Sequence, residues 1–210
     1  DFLCLSNYAW NLQIANAFAK AVKKKKPETV VVLGGPNFPD SEEERCIFLK
    51  KYSSIDFYIV GEGEEGFVSL FRKLKAFEMN SAQLKKQRKK IQNCAYLLDE
   101  ELIIGETKRI DDLNQVPCPY QMGMLDPFFT MPLVPIIETT RGCPFQCTFC
   151  ADGKIAANRV FRYHEKRVTE TLEHIASRVN GCDELIIADL NFGMYDQDIA
   201  TANTIARLQN

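Results

Sequence analysis

The sequence predicts an α/β protein that begins as an open parallel sheet, and three observations predict it. Apolar, β-branched runs alternate with segments of helical periodicity from the N-terminus onward. One run, residues 29–33, is continuously apolar or β-branched, as suits a parallel strand buried on both faces. Glycine turns, Gly34-Gly35 and Gly61-x-Gly63, follow two of the runs at the strand ends where such sheets hold their ligands.

Residues 2–6 read as the first strand and 7–11 as the loop after it. A helix over 12–26 turns Ile14, Ala17, Phe18, Ala21 and Val22 inward, and Pro27 stops it. Its last turn, Lys23 to Lys26, reads as solvated and suits the negative end of the helix dipole. A helix over 41–51 opens with Ser41 and Glu44 at capping-box spacing. A strand over 55–60 leads into a helix over 64–77 with Phe67, Leu70, Phe71 and Leu74 inward. Gly61-x-Gly63-x-x-Gly66 has the spacing of a dinucleotide fingerprint, but Glu62, Glu64 and Glu65 put carboxylates where a pyrophosphate must sit, so that ligand is not expected. The basic run Lys85 to Lys90 reads as a solvated helix end or connector in preference to an RNA-binding patch.

Residues 95–104 read as a hairpin, after which Pro117, Pro119, Pro127, Pro132 and Pro135 punctuate an extended connector. The second half opens with a strand over 134–139. A polar stretch over 159–166, a helix over 168–179, a strand over 184–188 and a helix from 199 follow. Three regions result: residues 1–79, an α/β domain; 80–132, a linker with a hairpin; and 133–210, a second α/β segment.

The stretch that carries chemistry is Arg141-Gly142-Cys143-Pro144-Phe145-Gln146-Cys147-Thr148-Phe149-Cys150. Thiolates are soft ligands suited to iron–sulfur clusters or zinc. Three from one loop leave a coordination position open, which catalysis needs and a closed structural site lacks. Spacings of four and three would equally place a stripe of buried cysteines on a helix face, although Gly142 and Pro144 argue against a helix there. Phe149 could shield a cluster from water.

Cys143-x3-Cys147-x2-Cys150, preceded by a strand and with an aromatic before the last cysteine, resembles the signature of the radical S-adenosylmethionine (SAM) enzymes. The resemblance implies that Cys143, Cys147 and Cys150 hold a 4Fe–4S cluster whose remaining iron binds SAM, and that one electron cleaves SAM to a 5′-deoxyadenosyl radical. Asp189 and Asn191, at the tip of the second strand of that half, then stand where the family meets the SAM amine, with Phe149 nearby; the plainer reading is that they cap the next helix. Arg141 and Arg162 could pair with a carboxylate of SAM or with acids of the protein, and His164 and His174 read as exposed. A second resemblance joins the first. Ser6-x-Tyr8-x-Trp10-Asn11, Gly34-Gly35-Pro36 and Asp56-x-x-Ile59-x-Gly61-Glu62-Gly63-Glu64 look like the later half of a cobalamin-binding domain. This implies cobalamin contacts at Ser6, Gly34, Gly35, Gly61 and Gly63, while Asn37 stands where many relatives carry His.

Together these imply a partial Rossmann-like (flavodoxin-like) parallel sheet followed by the first βα units of a partial TIM-type barrel. They also imply cobalamin-dependent methyl transfer to an unactivated carbon of a small-molecule or natural-product substrate, with a flavodoxin- or ferredoxin-type electron donor. Ring formation or rearrangement is the alternative within the class. A radical SAM methylthiotransferase acting on RNA is a rival, but Cys4, Cys46, Cys94 and Cys118 lack the short spacings of a second cluster. A zinc-binding interaction module with Cys182 as fourth ligand is the rival that is not an enzyme.

Composition bounds the rest. A net charge of −2 gives no cationic field for nucleic acid, and no apolar run is long enough to span a membrane. Eight cysteines, three clustered and five scattered, fit a reducing cytoplasm better than a disulfide scaffold. The lack of an initiator Met and the stop after two strands of the second half suggest a fragment, inactive and poorly soluble alone.

Overall fold

The computed structural model describes residues 1–150 and 158–209. The chain forms two compact units, Asp1–Ile110 and Asp111–Asn210.

In the first unit β1 (Phe2–Ser6), β2 (Val30–Gly34) and β3 (Phe57–Ile59) run parallel in that order, and β4 (Cys94–Leu98) and β5 (Glu101–Ile104) continue the sheet antiparallel. The sheet is therefore mixed, where a parallel one was expected. The segment read as a hairpin within a linker adds two strands to it, with Ala95 opposite Tyr58 and Cys94 opposite Ile59. Asp99 and Glu100 turn the hairpin, both at positive φ (49° and 66°), the two-residue turn that matches strand twist.

Both faces of the sheet are covered, and β2 shows it by alternation. Val31 and Leu33 pack with Ala15, Ala19, Leu49 and Tyr52 of α1 (Leu12–Lys25), α2 (Glu42–Lys51) and the residue after α2. Val30 and Val32 pack with Leu70, Leu74 and Leu84 of α3 (Gly63–Lys75) and α4 (Ser81–Lys86). Ser41 caps α2, accepting from Glu44 N at 3.2 Å while its hydroxyl donates to the Glu44 carboxylate at 2.8 Å.

Two expectations are corrected here. Helix α1 buries Ala15 and Ala19, not the stripe of larger residues: Ile14 and Phe18 are exposed at 62% and 59%. Small side chains let the helix lie close to the sheet. The lysine runs are likewise not wholly solvated. Lys23 Nζ lies 2.5 Å and Lys85 Nζ 3.7 Å from the Asp56 carboxylate, which also accepts from Val31 N at 2.8 Å. All three side chains are mostly buried, and Lys85 lies over the Phe57 ring. Burial lowers the Lys85 pKa, and Asp56 works against that shift.

In the second unit β6 (Ile136–Ile137) pairs parallel with β9 (Ile186–Ile187), and β7 (Thr140–Arg141) pairs antiparallel with β8 (Phe161–Arg162). The strands are shorter than the apolar runs that predicted them. Ile136 and Ile186 are about half exposed, at 53% and 50%. Helix α5 (Glu165–Ala176) buries Val168, Leu172 and Ile175, and α6 (Asp196–Leu208) packs beside it. His164 is exposed as read, but His174 is not: its side chain is 13% exposed and its Nε2 lies 2.8 Å from Asp126 Oδ1. This bond and Arg178 hold the Asp126 carboxyl below the usual carboxylate range.

Candidate functional sites

The first candidate site is the rim of the first unit's sheet. Ser6, Gly34, Gly35, Gly61 and Gly63 all line one concavity of about 370 Å³, with Phe67 and Ile59 among its walls. The parallel register, Ser6 beside Gly34 and Gly34 beside Ile59, brings these strand ends level.

The rim is locked by polar groups that sequence reasoning missed. Asn7, fully buried, donates to the Asn37 carbonyl at 2.7 Å and the Tyr58 hydroxyl at 2.8 Å. Tyr58 donates in turn to the Gly35 carbonyl at 2.8 Å, and burial pushes its hydroxyl up to about 12. Asn37 Nδ2 donates to Asn7 Oδ1 at 3.2 Å, so the side chain that stands in place of the expected histidine braces the loop. On the other side Asn93, at φ 53°, donates to the Lys108 carbonyl at 2.8 Å and accepts from Lys108 N at 2.9 Å. Strand-end asparagines between apolar runs were the available signal; their targets lie 15 to 51 residues away.

The glycines divide by what they do. Gly35 has φ +131°, and a Cβ there would meet Asn7 O at 2.6 Å. Gly66 would meet Asn93 Cβ at 2.8 Å, so the last glycine of the fingerprint-like motif serves helix–strand packing. At Gly63 a Cβ would meet no atom within 4 Å, so its bare backbone leaves open space. Glu62 does not face a pyrophosphate site: its carboxylate accepts from Arg109 Nε at 3.1 Å and Ile110 N at 2.5 Å.

The second candidate site is the thiol loop. Gly142, at φ 110°, turns the chain out of β7 into an irregular loop. Cys143 is partly buried and Cys147 and Cys150 are exposed, with Cys150 N donating to Cys147 O at 3.1 Å. A stripe of buried cysteines on a helix is therefore excluded. Phe149 is 92% exposed. Among the described residues no three His, Cys, Asp or Glu side chains converge as a single metal ion requires. The donor set still fits a cluster chemically, because cluster thiolates bind different irons and need not meet at one point. Cys182 precedes β9, whereas Cys143 follows β6 and β7; with β6 and β9 parallel, Cys182 sits at the opposite end and is not placed to complete a site with Cys143.

The tip of β9 grips the base of this loop. Asp189 Oδ1 accepts from Thr139 N at 2.7 Å; Oδ2 accepts from the hydroxyls of Thr139 and, at 2.9 Å, Thr140. Asn191 Nδ2 donates to Cys143 Sγ at 3.0 Å. Neither side chain caps α6; Asp198 does so, accepting from Gly193, Met194 and Tyr195 N at 2.9 to 3.0 Å. Arg141 pairs with Glu138, its Nη2 2.8 Å from Oε2, while Arg162 stacks over the Tyr195 ring at 3.7 Å. The threonine pair was legible only as a polar break in an apolar run.

Over nearly its whole length the chain is similar in sequence to a cobalamin-dependent radical SAM methyltransferase and to an anaerobic cyclase. It is 29% identical, over 98% of its length, to the cobalamin-dependent radical SAM methyltransferase TokK of Streptomyces tokunonensis. It is 26% identical, over 90% of its length, to an anaerobic magnesium-protoporphyrin IX monomethyl ester cyclase of Cereibacter sphaeroides. The chain spans 30% of the length of each of these relatives. In fold it resembles the cobalamin-dependent SAM radical enzyme OxsB, solved with aqua-cobalamin and SAM bound, with a TM-score of 0.69 and 18% identity over 99% of this chain and 28% of that one. No family model matches the chain.

Proposed function

We propose that this chain forms part of a cobalamin-dependent radical SAM enzyme that transfers a methyl group to an unactivated carbon of a small-molecule or natural-product substrate. The observation that carries the reading is the thiol loop, held at the C-terminal end of β6 by the tip of β9. Cys143, Cys147 and Cys150 would hold a 4Fe–4S cluster, which supplies one electron for the reductive cleavage of SAM. Asp189 and its threonine partners fix the base of the loop. Phe149 and Asn191 stand beside the position where SAM would lie. The β6–β9 pair corresponds on this reading to the start of a TIM-type barrel, whose active site lies at this end.

Cobalamin would lie against Ser6, Gly34, Gly35, Gly61 and Gly63. The open space at Gly63 supports close approach of a ligand to backbone. A concavity of about 370 Å³ suits a portion of so large a ligand, such as its nucleotide tail, with the corrin outside it. Methyl transfer is favoured over ring formation by the methyltransferase relative, and the cyclase relative keeps ring formation as the second reading.

Anaerobic reconstitution tests the foundation. About four irons and four sulfides per chain, lost in the triple Cys143/Cys147/Cys150→Ala variant, are expected. One zinc without sulfide would replace the radical reading with a binding module. With the full-length protein and methyl-deuterated SAM, label in the product identifies methyl transfer, and unlabelled product turns the assignment to ring chemistry.

A further inference from the structure

The proposed function assigns Asn191 to SAM, yet its amide is already committed elsewhere: Nδ2 donates to Cys143 Sγ at 3.0 Å. Asp189, two residues earlier, is turned to the same segment and takes Thr139 and Thr140. Asp189 follows β9 by two residues and Asn191 lies in the turn that begins at Leu190. The parallel pairing of Ile137 with Ile187 brings this turn beside the chain leaving β6. The tip of β9 thus reaches both ends of the 139–143 segment, the buried threonines and the first cysteine. The amide of Asn191 is half-buried, which strengthens a hydrogen bond to a charged sulfur.

We infer that Asn191 is a positioning residue for the cluster itself, an N–H donor to the Cys143 thiolate that raises the reduction potential. The inference rests on the cluster assignment above. A hydrogen bond to a cluster sulfur favours the state with more negative charge, which is the reduced one. One electron enters the cluster and no bond to Asn191 forms or breaks. Without the donor, reduction becomes harder at unchanged cluster composition.

The test is a redox titration of the reconstituted full-length protein, followed by the electron paramagnetic resonance of the reduced cluster, with SAM left out. Omitting SAM removes any contribution from its placement. Asn191→Ala is expected to disfavour reduction about tenfold, a shift of about 59 mV to more negative potential for a one-electron couple. Asn191→Asp, which replaces the donor with a negative charge, is expected to shift it further. Potentials equal to the parent's in both variants, with iron and sulfide intact, overturn the inference while leaving the radical SAM reading standing. A parent protein that takes up no cluster overturns both. If Asn191→Ala cannot retain iron, Asn191→Ser and Asn191→Val decide. Iron recovered in the serine variant alone supports the bond, and recovery in both or in neither overturns it.

Discussion

Asp189 accepts from a backbone N–H and two hydroxyls of Thr139 and Thr140, and both threonines are buried. Replacing it by Ala strands three donors away from water, each costing on the order of 1–3 kcal/mol in part offset by relaxation. The second unit of Asp189→Ala is expected to lose about 2–3 kcal/mol in urea unfolding, and the reconstituted protein to lose iron faster to a chelator. Asp189→Asn keeps one acceptor and should fall between the two. Unchanged stability would mean that the β9 tip does not hold the loop. At this scale the sequence marks a candidate site by residue type at short spacing, as in the three cysteines. It was opaque where a side chain's target is distant. Asp189 and Asn191 read as ligand contacts or helix caps because a carboxylate and an amide at a strand tip serve either purpose. Only the fold brings Thr139 and Cys143 to them.

At the scale of elements, the glycines make separable predictions because they serve different ends. Gly63 opens α3 with nothing near its missing Cβ, so Gly63→Ala should leave folding intact and even favour the helix by up to about 1 kcal/mol. The same methyl projects at the concavity, and cobalamin binding by equilibrium dialysis is expected to weaken about tenfold. Gly35→Ala should instead destabilise the first unit by about 2 kcal/mol or more, from its φ of +131° and the approach of Asn7 O. If both variants bind cobalamin as the parent does, the rim is not its site. The alternation of strands and helices was legible because hydrophobic periodicity is local. The place of the β4–β5 hairpin was not, since it pairs with a strand distant in the chain, Cys94 lying opposite Ile59. In helix α1 the stripe read as inward follows the larger residues, but Ala15 and Ala19 pack while Ile14 and Phe18 remain outside.

For the whole molecule, net charge and hydropathy bounded the class but not the reaction. The chain's net charge is −2, and among the described residues no helix is long and apolar enough to cross a membrane. The lysine runs show why charge patterns mislead at this scale: Lys23 and Lys85, 62 residues apart, converge on Asp56. That arrangement is a property of tertiary structure alone. The chain divides at residue 110, and the β4–β5 hairpin belongs to the first unit.

Trp10 is the chain's single tryptophan. It is 78% exposed and stacked on Tyr8 at 4.7 Å, in the short loop whose Asn11 donates to Ser6 Oγ at 2.9 Å. The chain therefore carries a built-in optical reporter in the loop tied to Ser6 of the rim, one that needs no label and whose signal within this chain comes from one place. Excited where tyrosine does not absorb, its emission should be quenched in a saturable way as cobalamin is added, and the Gly63→Ala curve should move to higher concentration. Emission that falls only in proportion to the absorbance of added cobalamin would mean that no such ligand settles near this loop.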